Sequence, residues 1–125
     1  MEKVRPILPN ELTIGALKAE ELFQTMVLRP IIKMQHDILV YRVKSYFASK
    51  KAVFHLMDKK KRVVALESAF KNDNPFKKEI QGMVIGQLNG EEFKQYLQTE
   101  KSFNKTIIQM VKNRMIDSVI ELSRQ

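Results

Sequence analysis

Histidine occurs at two positions, His36 and His55, and cysteine at none. Without a thiol the chain has no thiolate nucleophile, no disulfide framework and no zinc site built on cysteine. The histidines form no HExxH pair, so a metal site would need carboxylates brought together by the fold. His36 stands beside Asp37 on what reads as the polar face of a helix, where exposure is expected, whereas His55 adjoins apolar residues. The chain has no Walker loop, Rossmann glycine pattern or GxSxG elbow. With four glycines in all it has little from which to build a phosphate-cradling loop. Catalysis and a cofactor are both unexpected.

The remaining polar groups of interest fall inside apolar arcs. At about 100° per residue, Gln35 and Arg42 project near the middle of the arc made by Leu28, Ile31, Ile32, Ile38, Leu39 and Tyr46. Near the C-terminus Arg114 lies between Met110 and Ile107, with Asp117 and Glu121 further along the same helix. An unpaired interior charge costs several kcal/mol, so these cations need partners. One solution is internal: Arg114 with Asp117 or Glu121, and Arg42 with a carboxylate of a neighbouring helix. The alternative is a shared cavity in which Gln35, Arg42 and Arg114 bind a small acidic ligand.

Gly82 and Gly86 are four residues apart in Gly82-Met83-Val84-Ile85-Gly86. On one helix face they expose bare backbone, which suggests close packing against a long helix of the same chain, or a groove for a ligand or partner helix. The surrounding apolar stretch is too short for a membrane dimer motif. Ile116 and Ile120 lie outside the main apolar arc of their helix. They point to a second covered side, either a central place in the bundle or a homodimer contact.

The formal net charge of +8 is concentrated. Residues 38–62 carry eight basic side chains, Arg42, Lys44, Lys50, Lys51, Lys59, Lys60, Lys61 and Arg62, against Asp58 alone. Such a patch attracts phosphates, acidic proteins or anionic lipid heads, and is equally compatible with a solvated face. Tyr41, Tyr46, Phe47 and Phe54 interleave with these residues as in a stacking surface for nucleic acid. Their spacing is also that of a buried helix face, and no helix-turn-helix or RNA-recognition signature accompanies them.

The elements that must position these groups read as helices throughout. Pro6 and Pro9 make residues 1–18 an extended lead-in, with Val4, Ile7 and Leu8 able to pin it to the body. Apolar residues at spacings of three and four then predict a long helix over about 19–49. Pro30 either kinks it or occupies the first turn of a new helix near Arg29; the kink is preferred. Asp58 suits the N-cap of a helix over 59–71, and Asn74 with Pro75 the start of another over 75–88. Asn89-Gly90 breaks that helix, and Glu91 and Glu92 favour a short one to Gln98. A last long helix runs over 102–122. The expected fold is an all-α bundle of about five helices, two of them long, forming a single domain over 19–125.

The stretches Leu28-Arg29-Pro30-Ile31-Ile32-Lys33-Met34-Gln35-His36-Asp37 and Gly82-Met83-Val84-Ile85-Gly86-Gln87, followed by Asn104-Lys105, carry a resemblance. They are similar to a family of short all-helical Bacteroidetes proteins, some of which bear the label glyoxalase. That resemblance implies a bacterial, cytoplasmic all-α domain. It does not bring the label with it. A metal-dependent glyoxalase looks like paired βαβββ modules with histidine and glutamate ligands, where this chain has helical periodicity.

The expectation is therefore a basic, non-catalytic binding or assembly module whose partner is another protein, possibly a second copy of itself, in a homodimer. Nucleic-acid binding through the 38–62 segment is the alternative. No apolar run is long enough to span a membrane, the N-terminus lacks a signal peptide's apolar stretch, and the expected location is cytoplasmic.

Overall fold

The computed structural model describes residues 19–50 and 56–122, without the side chain of Glu121. The lead-in over 1–18, Lys51, Phe54 and His55 lie outside the described residues. Within them every regular element is helical: α1 (Ala19–Phe23), a π-turn (Gln24–Leu28), α2 (Arg29–Met34), α3 (His36–Ser49), α4 (Lys59–Asn72), α5 (Asn74–Ile85), α6 (Gly90–Gln98), α7 (Glu100–Asp117) and α8 (Val119–Leu122). The protein is an all-α bundle.

The first long run is divided rather than simply bent. Pro30 has no N–H, and its ring would press on the carbonyl four residues back in a regular helix. Directly before it the backbone widens, and the Arg29 N–H donates to the Gln24 carbonyl, five residues back. Phe23, Leu28 and Arg29 all keep right-handed helical backbone angles, so the chain stays helical through this π-turn. Pro30 thus occupies the first turn of α2. The true interruption falls at Gln35, where φ −88° and ψ 6° leave the α region.

The other boundaries follow side-chain capping. Asp58 Oδ1 accepts the Lys61 N–H at 2.8 Å and starts α4. At the next junction the cap is Asp73, one residue before the expected Asn74: its Oδ1 accepts the Phe76 N–H at 3.1 Å. Asn89 and Glu92 form a reciprocal capping box, each side chain accepting the other's backbone N–H. These pairings satisfy donors that the first turn of a helix leaves open.

α7 lies at the centre, packed against α4, α5, α6 and α8. Its row Phe103, Ile107, Val111 and Met115 is buried, and Val119 and Leu122 continue it on α8. Successive i, i+4 positions make one ridge along a helix, which is how so regular a row comes to face inward. Phe76, Ile80 and Val84 of α5, Leu66 and Phe70 of α4, and Leu39 and Val43 of α3 complete the core. At one end Phe23 lies 4.6 Å from Phe103, ring centre to ring centre, and tethers α1 to α7. No described helix is long and apolar enough to cross a membrane.

Candidate binding surface

The clearest concave feature runs along α4. Ala65, Ser68, Ala69 and Asn72 repeat at helical spacing, so α4 presents a stripe of short side chains on one face. Two hollows share Ala65 and Ser68. The first, about 660 Å³, is lined by Met57, Asp58, Lys60, Lys61, Val64, Ala65 and Ser68. The second, about 620 Å³, continues over Ala69 and Asn72 to Asn74 and Pro75, with Tyr46 and Lys50 on its other wall. From Lys61 to Asn72 the groove follows α4 for about 16 Å, three helical turns. Val64, which lines it, is 59% exposed, and Leu56, one residue before Met57 in the chain, is 75% exposed.

Charge and groove coincide. Lys59, Lys60 and Lys61 are exposed on the first turn of α4, where the helix dipole is already positive. Lys50 stands over the Tyr46 ring, 5.6 Å from its centre. Lys44 and Arg62 are half-buried, and Arg62 is engaged with other groups. The basic segment is thus split: its lysines at 50 and 59–61 rim the α4 groove or stand beside it, while Arg42, Lys44 and Arg62 are partly folded away.

The aromatic platform is taken apart by the fold. Phe47 is buried. Tyr46 packs on Phe76, ring centres 4.2 Å apart, and donates its hydroxyl hydrogen to Asp73 Oδ2 at 2.7 Å. Burial first, then that hydrogen bond and the carboxylate charge, pushes the Tyr46 hydroxyl up from 10.0 to about 12. The same bond, with the Phe76 N–H and the Lys50 charge, holds the Asp73 carboxyl below the ordinary carboxylate range. Tyr41 remains exposed, on α3.

The polar groups that the alternative reading brings to one cavity go separate ways. Gln35 is 3% exposed, and its amide donates to the Met83 carbonyl at 3.0 Å. That carbonyl is an open acceptor because the last turn of α5 tightens: the Gln87 N–H goes to Val84 and the Leu88 N–H to Ile85. Arg42 finds its carboxylate in Glu79 of α5, Nε to Oε1 2.8 Å, on a partly exposed rim. Arg114 makes no ion pair with Asp117 among the described residues; its Nε–H donates to His36 Nδ1 at 2.8 Å. His36 is correspondingly half-buried, contrary to the exposure expected of it. The pairing considered with Glu121 involves a side chain outside the described residues.

The glycine pair is also corrected. Gly82 and Gly86 are exposed, and a Cβ built on Gly82 would meet nothing within 4 Å. At Gly86 the nearest atom is the Gly82 carbonyl oxygen of its own turn, at 3.0 Å. No described helix packs on them, since α5 buries the opposite side, Phe76, Ile80 and Val84. Of the two isoleucines proposed for a dimer contact, Ile116 packs partly against the core and Ile120 is 68% exposed.

The chain matches no family model, no curated protein and no solved structure. Function must therefore be read from the chain's own surfaces. The small-residue stripe of α4 was present in the sequence at i, i+3, i+4 and i+7, and its spacing alone could have marked the groove. Among the described residues no three histidine, aspartate or glutamate side chains are placed as metal ligands.

Proposed function

We propose that this protein is a protein-binding module whose α4 groove receives an acidic amphipathic helix. The carrying observation is the juxtaposition of an almost wholly apolar hollow, floored by Met57, Val64 and Ala65, with Lys60 and Lys61 on its rim. An apolar floor rewards burial, and the lysines select a partner with carboxylates beside its apolar stripe. The short side chains of Ala65, Ser68 and Asn72 let a helix approach closely over three turns. A second copy could supply such a helix: α6 has Glu91 and Glu92 in its first turn and exposes Phe93 and Leu97, four residues apart.

A labelled helical peptide with an i, i+4, i+7 apolar stripe flanked by glutamates tests the reading by fluorescence anisotropy. Binding is expected with Kd on the order of micromolar. Val64→Glu should abolish it at unchanged circular dichroism, and a lysine-flanked peptide of the same stripe should not bind. Equal binding of both peptides, or indifference to Val64→Glu, overturns the proposal.

The second reading, nucleic-acid binding, is favoured by the exposure of all three lysines at 59–61. It predicts affinity for labelled single- or double-stranded nucleic acid that falls steeply with salt. That affinity would be lost on changing Lys59–Arg62 to glutamine and untouched by Val64→Glu.

A further inference from the structure

Between the π-turn and α7 lies a separate cleft of about 400 Å³, lined by Gln24, Arg29, Ile32, Met110, Asn113, Arg114 and Asp117. Its two walls have different origins. Met110, Asn113, Arg114 and Asp117 stand at i, i+3, i+4 and i+7 and so share one face of α7. Gln24 and Arg29 are five residues apart, and in a regular α-helix they would point about 140° away from each other. The π-turn changes this. Its i to i+5 hydrogen bond, Arg29 N–H to Gln24 carbonyl, brings the two residues to the same side.

The electrostatics of the cleft are incomplete. Arg114 is half-buried, and its hydrogen-bond partner among the described residues is His36. In that contact Nδ1 of the imidazole is the acceptor, so it orients the guanidinium without supplying a negative charge. The two terminal amino groups of Arg114 remain, on a residue that lines the cleft together with Arg29. Among the described residues neither arginine has an ion pair. Asp117 lies on the same wall and partly offsets the two cations. Buried Ile32 and half-buried Met110 supply an apolar floor, and the amides of Gln24 and Asn113 can donate or accept.

We infer that this cleft is a binding site for a small organic carboxylate, held by the guanidinium groups of Arg29 and Arg114 with its hydrocarbon body on Ile32 and Met110. Arginine suits the task because its planar fork matches a carboxylate with two parallel N–H···O bonds. His36 is a positioning residue, acting through Arg114. The π-turn is what makes the site two-sided. The inference is independent of the α4 groove.

The probe is isovalerate, a carboxylate with a short branched tail, titrated into the full ¹⁵N-labelled chain while the arginine Nε–H signals are followed. Saturable shifts of Arg29 and Arg114 are expected, with Kd on the order of 1 mM. Arg29→Gln, at an exposed position that leaves folding intact, should weaken binding at least about tenfold. Asp117→Asn should tighten it by removing the opposing charge. His36→Leu should weaken it by releasing the guanidinium from its orienting hydrogen bond, whereas Val64→Glu should leave it unaltered. Absence of saturable shifts, equal affinity for the neutral amide of the same acid, or indifference to Arg29→Gln overturns the assignment.

Discussion

Tyr46 and Asp73 join α3 to the start of α5 through one hydrogen bond of 2.7 Å, and its energetics should be visible in pH. The folded chain holds the Tyr46 proton up to about 12, whereas an unfolded tyrosine releases it near 10.0. Stability is therefore intact below the lower value and falls as pH rises between the two. Asp73 works in the opposite sense. Its carboxyl is held below its ordinary value of 3.8, so its contribution is present above that value and lost as pH falls through the lowered one. Tyr46→Phe should cost about 1 kcal/mol at neutral pH. It should also reduce the alkaline decline, leaving the share due to buried Tyr96, and raise the Asp73 midpoint, as thermal melts against pH and carboxyl NMR titration would reveal. Gly82 gives a prediction of opposite sign. It sits inside α5 with open space where a Cβ would go. Gly82→Ala should stabilise by about 0.5–1 kcal/mol in urea unfolding, by reducing the freedom of the unfolded chain.

α4 begins on three consecutive lysines, Lys59, Lys60 and Lys61, behind the Asp58 cap. Positive charge at the N-terminal end of a helix is unfavourable, and acidic residues there are favourable by about 0.3–1 kcal/mol each. The double change Lys59→Glu with Lys60→Glu should therefore raise the denaturant midpoint. The same change should weaken the acidic peptide's binding to the groove. Opposite signs in the two assays would mark these lysines as serving contact at the expense of helix stability. If binding is unaffected, Lys59 and Lys60 form a solvated face and the groove's charge selectivity rests elsewhere. The π-turn and the Gln35 interruption belong to this scale as well. One brings Arg29 beside Gln24, and the other lets a buried amide close the last turn of α5.

The whole molecule is organised around α7, whose buried row is touched from several sides. Truncation there should be felt by every neighbour at once. Ile107 is fully buried, and Ile107→Ala should cost about 2–5 kcal/mol, because the surrounding helices close only partly over the lost volume. A single core predicts one cooperative transition, with far-ultraviolet circular dichroism and tyrosine fluorescence melting together. Two separated transitions would show that α6 or the α1–α2 arm unfolds by itself. The surface carries several uncovered apolar side chains, Leu56, Val64, Phe93, Leu97 and Ile120 among them. Sedimentation across protein concentration would show whether a second copy covers any of them. Mass that rises with concentration and reverts to monomer in both Val64→Glu and Leu97→Glu would identify the partner helix of the groove as α6.

Local chemistry was enough to determine the all-α class, the burial of Phe103, Ile107, Met110, Val111, Met115, Val119 and Leu122 to differing degrees, and the starts of α4 and α6. Capping and i, i+4 periodicity are interactions between residues a few positions apart, so they are written wherever those residues occur. Asp58 capped as expected, and even the misplaced cap at the next junction moved by one residue, from Asn74 to Asp73. Tertiary structure decided the rest. Gly82 and Gly86 record that side chains are missing, yet nothing in them says whether a helix or water lies opposite. Arg114 records a charge that needs a partner, and its partner proved to be His36, 78 residues away. The π-turn before Pro30 reset the helical phase, which placed Arg29 where a 3.6-residue repeat does not. Which face is apolar is a property of neighbouring residues in the chain; what that face meets depends on how separate helices are set against one another.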